Sequence, residues 1–170
     1  MTTRRRGRPA AAPRVEVIVR SPRWARRPRA KAIVRTAISA AATAASTPPV
    51  ELAIVLGDDS AIRALNRRWR GKNAPTNVLS FPAAGTGKHG PSPPYIGDVI
   101  IAYETTAREA AAEGKRFDHH LAHLAIHGFL HLLGYDHIRV RDAAKMERLE
   151  RRVLARLSVP DPYALRPPQG

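Results

Sequence analysis

The sequence has no cysteine in its 170 residues. Without thiols the chain cannot form disulfides or a thiolate metal site, and this fits a reducing compartment. Aromatic residues make up only 5%, so Leu, Ile, Val and Ala must fill most of the core. No apolar run approaches the roughly 20 residues that a membrane span needs, and no apolar signal core follows the basic N-terminus. We therefore expect one soluble, cytoplasmic domain that does not enter membranes.

Acidic residues are scarce, with 14 Asp and Glu against 29 Lys and Arg, which gives a net charge of +15. The excess is concentrated near the N-terminus, because residues 1–31 carry eleven basic residues and a single acid, Glu16. Such a segment attracts polyanions, above all nucleic acid, although it is equally compatible with a solvated tail. We expect residues 1–13 to form a basic, disordered extension, because Gly, Pro and small residues accompany the arginines.

Apolar periodicity predicts four strands and about five helices. Runs rich in β-branched residues predict strands at 15–20, 50–56, 77–81 and 96–102. Apolar residues at helical spacing predict helices at about 30–45, 61–70, 105–114, 118–133 and 141–157. Strands and helices do not alternate strictly, so we predict an α+β fold for residues 14–157, followed by a Pro-rich irregular tail at 158–170. A Pro/Gly-rich loop is expected at 82–94.

The most informative stretch is HGFLHLLGYDH, at residues 127–137. His127 and His131 are four residues apart, about 400° of rotation and about 6 Å of rise on a helix, so both imidazoles leave one face. Gly134 permits a left-handed turn that ends the helix, and His137 can then approach from the side. Three neutral imidazoles leave a coordination position open for water, as in catalytic zinc sites. We predict that they bind one metal ion, with zinc favoured over Ni, Co and Cu, and are not ordinary surface or core histidines.

Several neighbours allow more than one interpretation. His123 lies on the same helical stripe and could be a fourth ligand, a partner of a ligand or a core histidine, and we favour the last two. His119 and His120 are expected to be exposed near the helix start. Asp136 could orient an imidazole, but a turn role is commoner beside glycine. Zinc proteases with the HExxH motif place a catalytic glutamate after the first histidine, where this chain has Gly128, so water would need another activator.

Residues 127–137 closely resemble the YbeY family of bacterial endoribonucleases, whose pattern H-G-x-L-H-L-x-G-Y-D-H is matched at every specified position. Residues 65–82, with LN, WRGK and PTNVLSFP, resemble a second signature of the family, and residues 97–101 and 161–163 are also similar. The resemblance therefore covers about residues 50–163. It implies a mixed four-stranded sheet flanked by helices, zinc on the three histidines, and single-strand-specific endoribonuclease activity. That activity would serve ribosomal RNA maturation, at the 3′ end of the small-subunit RNA, and ribosome quality control.

The resemblance also places the family's functionally important arginine on Arg70. A guanidinium can hold a phosphodiester bidentately and stabilise its developing charge, although without the resemblance Arg70 would be one of several charges beside Arg67 and Arg68. Many relatives have Asp where this chain has Asn77, so no carboxylate at that position can act as a base. The implied partners are the ribosome, its small-subunit RNA and ribosome-associated proteins.

Three functions therefore remain open. The first is a zinc-dependent endoribonuclease whose catalytic residues are Arg70, His127, His131 and His137. The second is a metallopeptidase-like enzyme, and Gly128 counts against it. The third is a non-catalytic RNA-binding factor for ribosome assembly with a structural metal, and the missing base supports it. The sequence does not identify the base, the nucleophile or the cleavage site.

Overall fold

The structure, a computed structural model, describes residues 11–85 and 93–164. Within these ranges the elements are β1 (Arg14–Val19), a 3-10 helix (Pro22–Arg26), α1 (Ala30–Ala44), β2 (Glu51–Gly57), α2 (Asp59–Arg70), β3 (Val78–Pro82), β4 (Tyr95–Ala102), α3 (Tyr103–Ala112), α4 (Phe117–Leu132) and α5 (Val140–Arg156). The predicted α+β fold, with a mixed four-stranded sheet and about five helices, is confirmed. Most of the predicted basic extension lies outside the described residues, as do parts of the predicted loop and tail. No helix in the described ranges is both long and apolar enough to cross a membrane.

The sheet has the strand order β1-β2-β4-β3. β1 pairs with β2 and β2 with β4 in parallel, whereas β3 runs antiparallel to β4. Parallel neighbours need a crossover connection, and α1 supplies it between β1 and β2. The short antiparallel edge strand β3 lies beside β4, and α4 packs across both of them.

The two faces of the sheet bury different sets of side chains, because neighbouring residues of a strand point to opposite faces. One face carries Ile54 of β2 and Val99 of β4 into the main core, which α1, α4 and α5 complete. The other face carries Leu79 of β3 against Ile62 of α2 in a smaller cluster. Eleven of the sixteen residues of α4 are buried, so side chains on this helix are held by packing on several sides.

Gly128 lets α4 approach the sheet closely. A Cβ atom at this position would lie 2.5 Å from Cγ1 of Val99 and 3.3 Å from the hydroxyl oxygen of Ser80. The Ser80 hydroxyl donates a hydrogen bond of 2.9 Å to the carbonyl oxygen of Gly128. A side chain at position 128 would therefore push α4 away from β4, and the glutamate of the HExxH motif does not fit here.

We expect Gly128→Ala to lower the free energy of unfolding. Overpacking of a core typically costs about 1–3 kcal/mol, and the helix preference of alanine offsets at most about 1 kcal/mol. Urea denaturation measures the loss. Gly57→Ala is the control, since a Cβ at Gly57 would only meet Ile100 at an ordinary 3.8 Å. Equal stability of the two variants would contradict the close approach of α4 to β4.

Candidate metal centre

The three histidines predicted as ligands meet where α4 ends. Gly134 has a φ of 96°, a conformation that favours glycine. The N–H of Tyr135 donates a 3.0 Å hydrogen bond to the carbonyl of Leu130, which turns the chain back beside the helix. One ring nitrogen from each of His127, His131 and His137 then lies within 4.8 Å of the other two. The structure thus brings these residues together, and binding of a metal by them stays a prediction.

The spacing of His127 and His131 and the neutral form of His131 suit a tetrahedral metal ion. Nε2 of His127 and Nε2 of His131 are 3.1 Å apart. Two nitrogens bound to one zinc at about 2.0–2.1 Å would be about 3.3 Å apart in tetrahedral geometry. Burial lowers the pKa of His131 to about 4, and the neighbouring His127 and His137 act in the same direction. His131 is therefore neutral near pH 7, the form that binds metals, while His137 is exposed and leaves the group open to solvent.

A buried carboxylate contacts Nδ1 of His127, the ring nitrogen that does not face His131. Glu150 of α5 is 0% exposed, and its Oε1 is 2.7 Å from Nδ1 of His127. Its Oε2 is 2.7 Å from Nε2 of His123 and accepts a hydrogen bond from the Tyr163 hydroxyl. Burial acts to raise the pKa of Glu150, but the hydrogen bonds of His123 and His127 outweigh it and lower the pKa to about 2. Glu150 is therefore an anion that is fully hydrogen-bonded inside the protein.

Sequence reasoning missed Glu150, because its partners His127 and His123 lie 23 and 27 residues away. One signal was present. The buried residues of α5 are otherwise all apolar, and Glu150 lies among them beside Leu149 and Val153. An acid on the apolar stripe of an amphipathic helix indicates a buried partner, since an unpaired buried charge is costly.

Three polar residues near these histidines, His123, Asp136 and His120, have hydrogen-bond partners within the protein. His123 contacts Glu150, and Asp136 accepts a 3.2 Å hydrogen bond from the N–H of Ile138, as a turn residue does. The expectation that His119 and His120 are exposed is wrong, because His119 is half-buried and His120 is buried. His120 is only 5% exposed, because α3 packs against α4 and places Oε2 of Glu109 2.7 Å from its Nε2.

A cleft of about 680 Å³ has His123 and His127 among its lining residues, so it reaches one of the three predicted ligands. Its wall includes Asn77, whose side-chain amide donates a 3.0 Å hydrogen bond to Glu109. Position 77 supplies no carboxylate, as the sequence indicated, but Glu109 of α3 brings one to the same wall. Sequence reasoning did not find Glu109, because 32 residues separate it from Asn77.

Arg70 is the last residue of α2, and Gly71, with a φ of 67°, ends that helix. The Arg70 side chain is exposed, and in the described part of the chain it has neither a hydrogen bond nor an ion pair. Among the described residues, no hydrogen bond or ring contact joins Arg70 to the three histidines. Its assignment to catalysis stays a prediction. Next to it, Trp69 is 61% exposed, although its ring meets the edge of Phe81.

The fold and this site define an α+β domain with a three-histidine candidate metal centre at the end of a buried helix. A sequence profile described as "Endoribonuclease YbeY" matches residues 21–158, and the chain belongs to this family.

Three relatives, each named Endoribonuclease YbeY, show how close the similarity is. The relative from Rhodopseudomonas palustris is 54% identical over 156 residues, which cover 89% of this chain and 91% of the relative. The one from Bradyrhizobium diazoefficiens is 52% identical over 160 residues, covering 91% and 87%. The one from Nitrobacter hamburgensis is 54% identical over 159 residues, covering 91% and 84%. A solution structure of TM1509 from Thermotoga maritima aligns with 89% of this chain and 99% of its own, at 21% identity and a TM-score of 0.48.

Proposed function

We propose that this protein is a zinc-dependent endoribonuclease that cleaves single-stranded ribosomal RNA during maturation of the small subunit, in the cytoplasm. The observation that carries the proposal is the convergence of His127, His131 and His137 beside a cleft, in a chain of the Endoribonuclease YbeY family. Its relatives bear the name of an endoribonuclease, and the proposal extends that activity to this chain. A role in ribosome quality control, with ribosome-associated proteins as partners, belongs to the same proposal.

In this proposal the three histidines hold one zinc ion. When bound, the ion supplies a Lewis acid for the phosphodiester and for the attacking water. The cleft wall supplies a proton acceptor, since the Glu109 carboxylate is one-third exposed, at 33%, and is fixed by Asn77 and His120. A fixed carboxylate in a cleft can take a proton from the attacking water.

The end of α2 offers groups that suit single-stranded RNA. The exposed ring of Trp69 can stack on a base, and base–aromatic stacking tolerates any sequence. The adjacent Arg70 has no competing partner among the described residues and can hold a phosphate with two parallel hydrogen bonds. A net charge of +15 favours association with RNA over long distances.

The experiment is cleavage of a ribosomal RNA precursor fragment before and after removal of the metal. Protein without a His tag is stripped with a chelator, its zinc content is measured, and zinc is then restored. We expect cleavage of the single-stranded fragment to disappear on stripping and to return with zinc, while the same sequence in a duplex resists cleavage. Metal-loaded protein that binds RNA without cutting it would instead indicate an assembly factor with a structural metal. Cleavage that is indifferent to stripping would contradict metal dependence.

A further inference from the structure

His127 belongs to two groups of possible metal ligands. One consists of His127, His131 and His137, and the other consists of His123, His127 and Glu150. Each ring nitrogen of His127 faces one group, because Nε2 lies near His131 and Nδ1 lies near Glu150. A neutral imidazole has only one unprotonated ring nitrogen. His127 can therefore bind a metal ion in one of the two groups, but not in both.

The distances between donor atoms show which of the two groups is suited to bind a metal ion. Donor atoms on one tetrahedral zinc are about 3.3 Å apart, and the His127–His131 nitrogens, at 3.1 Å, come close to this value. Glu150 is 2.7 Å from His127 and 2.7 Å from His123, which is the length of a charge-assisted hydrogen bond. The first group is therefore spaced for coordination, and the second is spaced for hydrogen bonding.

We propose that Glu150 is the positioning residue of the metal centre, holding the His127 ring so that Nε2 points at the ion. This inference rests on the proposed three-histidine site. A carboxyl oxygen 2.7 Å from Nδ1 of His127 accepts a hydrogen bond from that nitrogen, so Nδ1 carries the proton and Nε2 keeps its lone pair. A ring fixed in one tautomer and one orientation binds its metal more tightly than a free ring.

Tyr163 completes the arrangement from beyond the end of α5. Its hydroxyl donates to Oε2 of Glu150, the oxygen that His123 also contacts. Its own backbone N–H donates a 2.8 Å hydrogen bond to Asp161, which also accepts one of 3.2 Å from Arg151 of α5. The carboxylate thus has three partners that offset the cost of its burial. The segment that the sequence assigned to an irregular tail therefore reaches the metal centre.

The test is zinc affinity, measured by competition with a chromophoric chelator. We expect Glu150→Gln to bind zinc about 10–100-fold more weakly, because the neutral amide cannot hold the imidazole as the carboxylate does. Visible spectra of the cobalt-substituted variant should shift, since the His127 ring is free to reorient. Glu150→Asp, which keeps the charge but shortens the side chain, should recover part of the affinity.

Tyr163→Phe keeps the ring and removes only the hydroxyl, so it tests the inference even if Glu150→Gln folds poorly. We expect a smaller loss of zinc affinity in the same direction. Tyr103→Phe is the matched control and should leave affinity unchanged, because the Tyr103 hydroxyl has no hydrogen bond within the described ranges while its ring is buried.

Wild-type affinity in folded Glu150→Gln and in Tyr163→Phe would overturn the inference. A complete loss of zinc in folded Glu150→Gln, equal to that in His131→Ala, would also overturn it, because Glu150 would then be a ligand itself and not a residue that positions one. If His131→Ala keeps wild-type affinity, the three-histidine site itself fails, and this inference fails with it. That result can be told apart from a failure of the Glu150 inference alone, because His131→Ala leaves Glu150 unchanged.

Discussion

The His131→Ala protein should keep its fold but lose its zinc, and with it nearly all cleavage of single-stranded RNA. His131 lies between the other two members of the three-histidine group, with ring centroids 4.6 Å from His127 and 4.8 Å from His137. Loss of a residue that merely orients a ligand costs about 10–100-fold in metal affinity, so loss of a ligand should exceed about 100-fold. Elemental analysis and a cleavage assay on one preparation measure both losses.

His119→Ala is the matched control for this variant. His119 lies on the same helix and is also half-buried, but it belongs to neither group of possible ligands. Its replacement should leave zinc content and cleavage at the wild-type level, and both variants should show wild-type circular dichroism. Full zinc content in folded His131→Ala would contradict the binding of zinc by the three histidines.

Arg70→Ala should cut RNA cleavage by about 10²–10³-fold, the usual cost of losing one preorganised charge at a developing oxyanion. Zinc content and melting temperature should stay unchanged, because the Arg70 side chain is exposed and has no polar partner in the described ranges. Arg70→Lys should recover only part of the rate, because a point charge lacks the planar fork that holds a phosphate twice. Single-turnover kinetics at saturating RNA measures the effect.

Arg67→Ala is the control, since Arg67 is an exposed arginine in the same last turn of α2. It should retain full cleavage. An Arg70→Ala protein that binds RNA weakly but cleaves at the wild-type rate when saturated would make Arg70 a docking residue. Wild-type binding and cleavage would reduce it to an ordinary solvated charge.

Local spacing was enough to predict how the three histidines come together. His127 and His131 share a face because they are four residues apart on a helix, and the turn at Gly134 brings back His137. All of this information lies within eleven consecutive residues. The strands and helices were predictable for a similar reason, since each depends on the periodicity of a short segment.

The carboxylates around the site were not predictable in the same way. Glu150 meets His127, and Glu109 meets His120, only because α5 and α3 pack against α4. Packing between helices depends on the whole core, and no short spacing encodes it. The same packing explains why His120, near the start of a helix, is buried.

The contact between Gly128 and Val99 also restricts how this protein can evolve. A change to the HExxH arrangement needs glutamate at position 128, and Val99 and Ser80 occupy that space. Val99 is fully buried in the sheet, so a smaller residue there leaves a cavity and by itself brings no new activity. Each single step on this route lowers stability before any gain appears. A packing contact therefore separates this histidine arrangement from the HExxH arrangement with the same spacing, because the substitutions that join them cost stability.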